Sequence, residues 1–169
     1  MGTLLALWRR VQLAVWVRRA TTRMKWVGIR LQVEVGEGVV LVRNPFVLAG
    51  DEPPGEPGSL TLRLGNRVRF APGVIIEAEP GKESVLEIAD GTRIGATSHF
   101  QLEGGSIRIG ANSEIRDGCV FRTSGGEIEL EGRSFVGYGC VVHATEGVVL
   151  RGHVTLPDRV SLEDSLGDD

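Results

Sequence analysis

The sequence is poor in several things that small folds commonly lean on. Two cysteines, Cys119 and Cys140, among 169 residues are too few for a disulfide scaffold and make a reducing compartment the default. Aromatic residues amount to 5%, so little of any core rests on large rings. Net charge is only −3, so no global field argues for nucleic acid as a partner. No stretch reaches the roughly 18 uninterrupted apolar residues of a membrane span; the best, residues 4–17, is cut by Arg9 and Arg10. Those charges also follow the first apolar residues, and no small-residue cleavage site appears, which argues against a secretory signal. Ala6 stands where a myristoylation signal requires Ser or Thr. The expected location is cytoplasmic. No His, Cys and Asp share metal-ligand spacing, so no metal is expected.

Glycine, by contrast, is abundant: 24 of 169 residues, about twice the typical share of roughly 7%. With recurrent Val, Leu and Ile, it suggests many short strands joined by tight turns. The order of those residues is periodic. Blocks beginning at Val85, Ser106 and Glu127 read VLEIADGTRIGATSHFQLEGG, SIRIGANSEIRDGCVFRTSGG and EIELEGRSFVGYGCVVHATEG, each 21 residues long. A weaker copy starts at Thr61 and a tighter one at Gly147.

Aligned, the copies form apolar columns: Leu62, Leu86, Ile107, Ile128, Val148; then Leu64, Ile88, Ile109, Leu130, Leu150. Six residues on come Phe70, Ile94, Ile115, Val136, Leu156, and six further on Ile76, Phe100, Phe121, Val142, Leu162. The spacing of six predicts a coil of three flat faces, each placing one large apolar side chain inside. One coil cannot bury its inward face alone, whereas stacked coils bury a continuous prism. The residues beyond 18 (Ser124-Gly125-Gly126, and Thr145-Glu146-Gly147) are expected as a bulge at one corner, where glycine supplies positive φ. The predicted fold class is all-β, a single-stranded parallel β-helix with a short N-terminal helix. β-Sandwiches and antiparallel barrels also alternate Val, Ile and Leu with glycine turns, but they rarely hold one period through consecutive units. The period does not distinguish a left-handed coil from a right-handed one.

Three segments are expected: a helical cap over residues 1–26, the β-helix over 27–164, and an acidic tail over 165–169. Residues 27–48 allow one or two irregular starting coils, and the Pro- and Gly-rich 51–59 reads as an exposed loop. The first 25 residues favour a helix, yet a helical wheel spreads Arg9, Arg10, Arg18 and Arg19 around most of its circumference. One reading is a cap over the open first coil, whose free edge would otherwise template aggregation. The other is membrane-surface contact by residues 1–25.

RIGATS, RIGANSEI, FVGYGCVVHATEGVVLRGHVTL and LPDRVSLED resemble the hexapeptide-repeat acyltransferases, closest to the sugar O-acetyltransferase group, over residues 27–164. The resemblance implies a left-handed coil, a trimer with intersubunit sites, and acetyl-CoA or another acyl-CoA as co-substrate. It further implies O-acyl transfer to a sugar or cell-envelope glycan, with a histidine as general base. In the family that histidine follows the coil similar to LRGHVTLPDRVSLED; here Leu166 or Gly167 falls at its place. The family's later CoA-binding coils have no counterpart, so the chain reads as a truncated member.

A base typically contributes 10²- to 10⁴-fold, because an acceptor hydroxyl is un-ionised at pH 7. The remaining catalytic candidates are His143, one step past inward Val142 and so facing outward, and Asp164, whose ordinary pKa of roughly 4 makes it a weak base. His99, before inward Phe100, and His153, at a turn, read as surface histidines. Cys119 and Cys140 share a column and are expected to stack as small, half-buried residues. A second reading stays open: a non-catalytic β-helix serving as a structural or self-association module.

Overall fold

A computed structural model of the chain describes residues 2–50 and 56–164, with the side chains of the N-terminal helix from Arg10 onward. The helix, α1, spans Gly2–Trp26. Among the described residues eighteen strands follow in a repeating order of three. The first sheet stacks β1 (Ile29–Val35), β4 (Gly58–Leu64), β7 (Glu83–Ile88), β10 (Gly105–Ile109), β13 (Glu127–Leu130) and β16 (Gly147–Leu150). The second stacks β2 (Val40–Leu41), β5 (Arg69–Phe70), β8 (Arg93–Ile94), β11 (Glu114–Ile115), β14 (Phe135–Val136) and β17 (Thr155–Leu156). The third stacks β3 (Phe46–Ala49), β6 (Ile75–Ala78), β9 (His99–Leu102), β12 (Val120–Thr123), β15 (Val141–Ala144) and β18 (Ser161–Asp164). Every pairing is parallel and joins strands one coil apart. The chain is therefore a three-sided parallel β-helix of six rungs, with backbone hydrogen bonds running from rung to rung.

All four apolar columns read from the sequence are real registers. Leu62 pairs with Leu86, Leu86 with Ile107 and Ile107 with Ile128; Ile76, Phe100, Phe121, Val142 and Leu162 follow one another in the third sheet. The rungs stack at offsets of 29, 24, 21, 21 and 20 residues. Residues 27–48 thus supply one complete first rung, with Val33, Leu41 and Val47 under Leu62, Phe70 and Ile76. The spacing of six from first to second to third sheet holds in every rung, so all variation falls at the corner leading from third sheet back to first. That corner occupies 79–82, 103–104, 124–126 and 145–146 in successive rungs. Gly147 belongs to β16 rather than to the bulge, and Gly58 and Ser59 belong to β4 rather than to the preceding loop, because each pairs with a neighbouring rung. Of the rest of the predicted loop, Glu56 and Pro57 are exposed and 51–55 lie outside the described residues, as does the predicted tail at 165–169.

Other inward columns lie beside those four. Val39, Val68, Thr92, Ser113 and Ser134 line the interior before the second sheet, and Val74, Ser98, Cys119 and Cys140 before the third; all are buried. Small residues fit where two walls converge. Their polar atoms find acceptors across the coil: Thr92 Oγ1 donates to Gly110 O at 2.9 Å, Ser98 Oγ to Arg116 O at 3.3 Å, and Cys119 Sγ to Gly137 O at 3.0 Å. These three donors are thus satisfied inside, the condition for tolerating a polar group there. Large residues fill the middle of each wall, and the rings of Phe100 and Phe121 stack 5.4 Å apart at 11°.

Candidate functional site

The three outer faces differ in what they offer a ligand. On the first sheet, Glu34, Arg63, Glu87, Arg108 and Glu129 succeed each other along one column. Arg63 lies 3.4 Å from Glu34 and 3.8 Å from Glu87, and Arg108 pairs with Glu127. Such exposed pairs contribute little stability, about 0–1 kcal/mol each, but they neutralise that face internally. The third sheet carries His99 and His143.

His99 on β9 and His143 on β15 both point out of the prism, as alternation with inward Phe100 and Val142 requires. His99 Nε2 lies 2.8 Å from Glu77 Oε2 on the rung below. Next to it, Gln101 donates to Glu103 Oε1 at 3.1 Å, and Arg122 reaches the same oxygen at 2.6 Å. Ser124, on the variable corner, donates to Glu103 Oε2 at 3.1 Å and stands 3.2 Å from His143 Nε2. With the hydroxyl proton given to Glu103, His143 Nε2 is the donor to Ser124 Oγ, the tautomer that leaves Nδ1 as the ring's lone-pair nitrogen. Both histidines are half-buried. His143 is thus held in orientation by a hydroxyl, and His99 by a carboxylate.

Asp164 does not belong to this group. It continues the inward column of Leu102, Thr123 and Ala144, and at the last rung its carboxylate turns onto the corner below. The N–H groups of Thr145, Glu146 and Gly147 all donate to it. Thr145's N–H is the main cause holding its pKa below the usual carboxylate range, helped by Gly147 and Glu146 and opposed by partial desolvation. A carboxylate engaged by three donors is a poorer base than a free one, so its geometry makes it a corner cap.

The cysteines stack in the interior, where burial pushes the Cys119 thiol up to about 11. Cys140 Sγ donates to Pro157 O at 3.0 Å. A thiol this far from ionisation is no nucleophile at neutral pH. His153 is exposed at the last rung. Leu166 and Gly167, where the family's histidine was sought, lie outside the described residues. Among the described residues no group of His, Cys, Asp and Glu is arranged to hold a metal ion, and no helix is long and apolar enough to cross a membrane.

Sequence reasoning singled out His143 but missed Glu77, Glu103, Ser124 and Arg122. One signal was available: Gln101, Arg122, His143 and Glu163 share an outward column at the repeat offset. Ser124 was legible only as part of a bulge. The chain matches no protein-family model and no curated protein.

Proposed function

We propose that this chain is an acyltransferase-type β-helix that presents a hydroxyl acceptor, a sugar or cell-envelope glycan, along the outer face of the third sheet. The observation that carries the reading is the His143 ring, half-buried and fixed in orientation by Ser124 at 3.2 Å, beside the hydrogen-bonded side chains of Glu103, Gln101 and Arg122. The hexapeptide spacing, resembling acyl-CoA-dependent O-acyltransferases, supplies the reaction class by analogy. In the proposed step His143 takes the acceptor's hydroxyl proton as the oxygen attacks the thioester carbonyl. The carbon–sulfur bond then breaks, the thiolate takes the proton back from the imidazolium, and an O-acyl ester and free CoA result. Release of CoA thiol from acetyl-CoA, with simple sugars as acceptors, tests the reading. His143→Ala should slow it by about 10²- to 10⁴-fold; wild-type release no faster than the variant's would end the catalytic reading.

A second reading is favoured by one separate observation. The last rung leaves Val148, Leu150, Val154, Val160 and Leu162 only partly buried, and its three strands each have one unpaired edge among the described residues. Such an end suits self-association rather than catalysis. Light scattering across a concentration series discriminates: growth in mass that Leu162→Asp abolishes, with no thiol release, supports the module.

A further inference from the structure

The exposed large apolar side chains are not scattered. Of Val11, Val15, Trp26, Val42, Phe46, Tyr138 and Val149, the first five sit on α1 or the first rung. Trp26 is the extreme, 85% exposed. Charge gathers at the same end. Residues 10–50 carry Arg10, Arg18, Arg19, Arg23, Lys25, Arg30 and Arg43 against Glu34 and Glu37, a net +5 in a chain whose total is −3. All seven cations are exposed and none is ion-paired among the described residues, whereas Glu34 is held by Arg63 at 3.4 Å.

The helix explains how one element serves two surfaces. Trp16, Ala20 and Met24 are buried, with Leu13 and Val17 packed beside them. At 100° per residue these five fall within a sector of about 100°. Trp16 Nε1 donates to Pro45 O at 2.9 Å, which ties this face down onto the first rung. Val11, Val15, Thr22 and Trp26 fall within about 60°, centred about 160° from the buried sector. Arg18 and Lys25 flank that second stripe on one side, Arg19 and Arg23 on the other. Two apolar stripes on opposite sides cancel in any single-direction measure of amphipathicity, which is why a wheel shows no clean separation of charge.

We propose that the outward stripe of α1 docks this protein onto an anionic lipid surface. The charge argues for this occupant: exposed Arg and Lys border an apolar strip ending in Trp, and α1 has no acidic residue. That is the composition by which a helix lies in the headgroup region of an anionic leaflet. Since its opposite face is already fixed on the prism, docking requires no unfolding of the cap. The proposal is independent of any catalytic role for His143.

The test is co-sedimentation of the full chain with large unilamellar vesicles of phosphatidylcholine, with or without 30% phosphatidylglycerol. Binding to the anionic vesicles only, weakened by raised salt, is expected, with a blue shift of the Trp26 emission. Each arginine near the surface contributes roughly fivefold, so Arg18→Gln/Arg19→Gln/Arg23→Gln should lose on the order of 100-fold in affinity. Val15→Ser/Trp26→Ser should lose about tenfold or more. All these side chains are exposed, so unchanged melting of the variants confirms that the fold is retained. Equal partition to neutral and anionic vesicles, no binding at low salt, or full binding by the triple variant would each overturn the proposal. So would a concentration-dependent dimer that Val15→Ser/Trp26→Ser abolishes without any vesicle present, since the stripe would then be a contact between copies. Displacement from vesicles by duplex RNA at an equal phosphate concentration would also overturn it.

Discussion

Phe121 and Val120 are chain neighbours on opposite sides of one wall, and truncating each to alanine tests the register of the whole prism. Phe121 is fully buried and stacks on Phe100 with ring centroids 5.4 Å apart; Val120 faces out from the same strand. Phe121→Ala removes a core ring and leaves a cavity between stiff walls, a loss of about 3–5 kcal/mol that includes roughly 1 kcal/mol of ring pairing. Val120→Ala deletes two methyl groups from a half-buried outer position, for less than about 1 kcal/mol. At roughly 2–4 °C per kcal/mol for a domain of this size, Tm should fall by about 6–20 °C in the first variant and by no more than about 4 °C in the second. Urea midpoints at constant m-value check that two-state treatment holds, which matters because stacked rungs can uncouple when a central one is weakened. A one-residue slip would exchange the two side chains between core and solvent. Equal losses, or a larger one for Val120→Ala, would refute the column assignment and with it the placement of His143 on the outer face.

Thr97, a β-branched residue, holds φ at 55° in the corner column of Gly73, Gly118 and Gly139. Thr97→Asn, which tolerates this conformation better, should raise stability by about 0.5–1 kcal/mol in urea titration; a loss would mean the Thr97 hydroxyl's bond to Ala96 O outweighs the strain. Asp164 has a folded pKa held below its ordinary value by Thr145, Gly147 and Glu146. Its contribution is therefore full above the ordinary carboxylate pKa and is lost as pH falls through the lower folded value. Hydrogen exchange at those three amides should quicken in Asp164→Ala at neutral pH and in the wild type only under acid; equal protection in both would show that the cap is idle. With its thiol near 11, Cys119 should resist disulfide reagents at pH 7 until denaturant is added, and rapid stoichiometric labelling of the native chain would contradict its burial.

Much of the fold was legible because burial writes itself as periodicity. Leu64, Phe70 and Ile76 stand six apart for the physical reason that each wall must contribute one large residue to the prism. Thr92, Ser113, Ser134 and Ser98 escaped because their chemistry resembles that of turn residues. Only the cross-coil carbonyls make them interior groups. Asp164 reads in the sequence as a weak base near the expected catalytic loop, whereas its column and three N–H donors give it the contacts of a corner cap. The Glu77–His99 contact is diagonal, one rung down and two residues along, so it depends on rotamers that no single-sequence pattern encodes. The two-faced helix was obscured by its own symmetry.

Every departure from an 18-residue coil is confined to the edge between third and first sheets, and the other two edges never change length. That edge acts as an expansion joint. Residues added or removed there leave the stacking of all three walls in phase, whereas a single insertion at either other edge would turn the following wall inside out. The corner carrying Ser124 is thus the place where this scaffold can be given new chemistry beside His143 without renegotiating its core. Engineered insertions of a few residues at 124–126 should fold, and the same insertions at 111–113 should not.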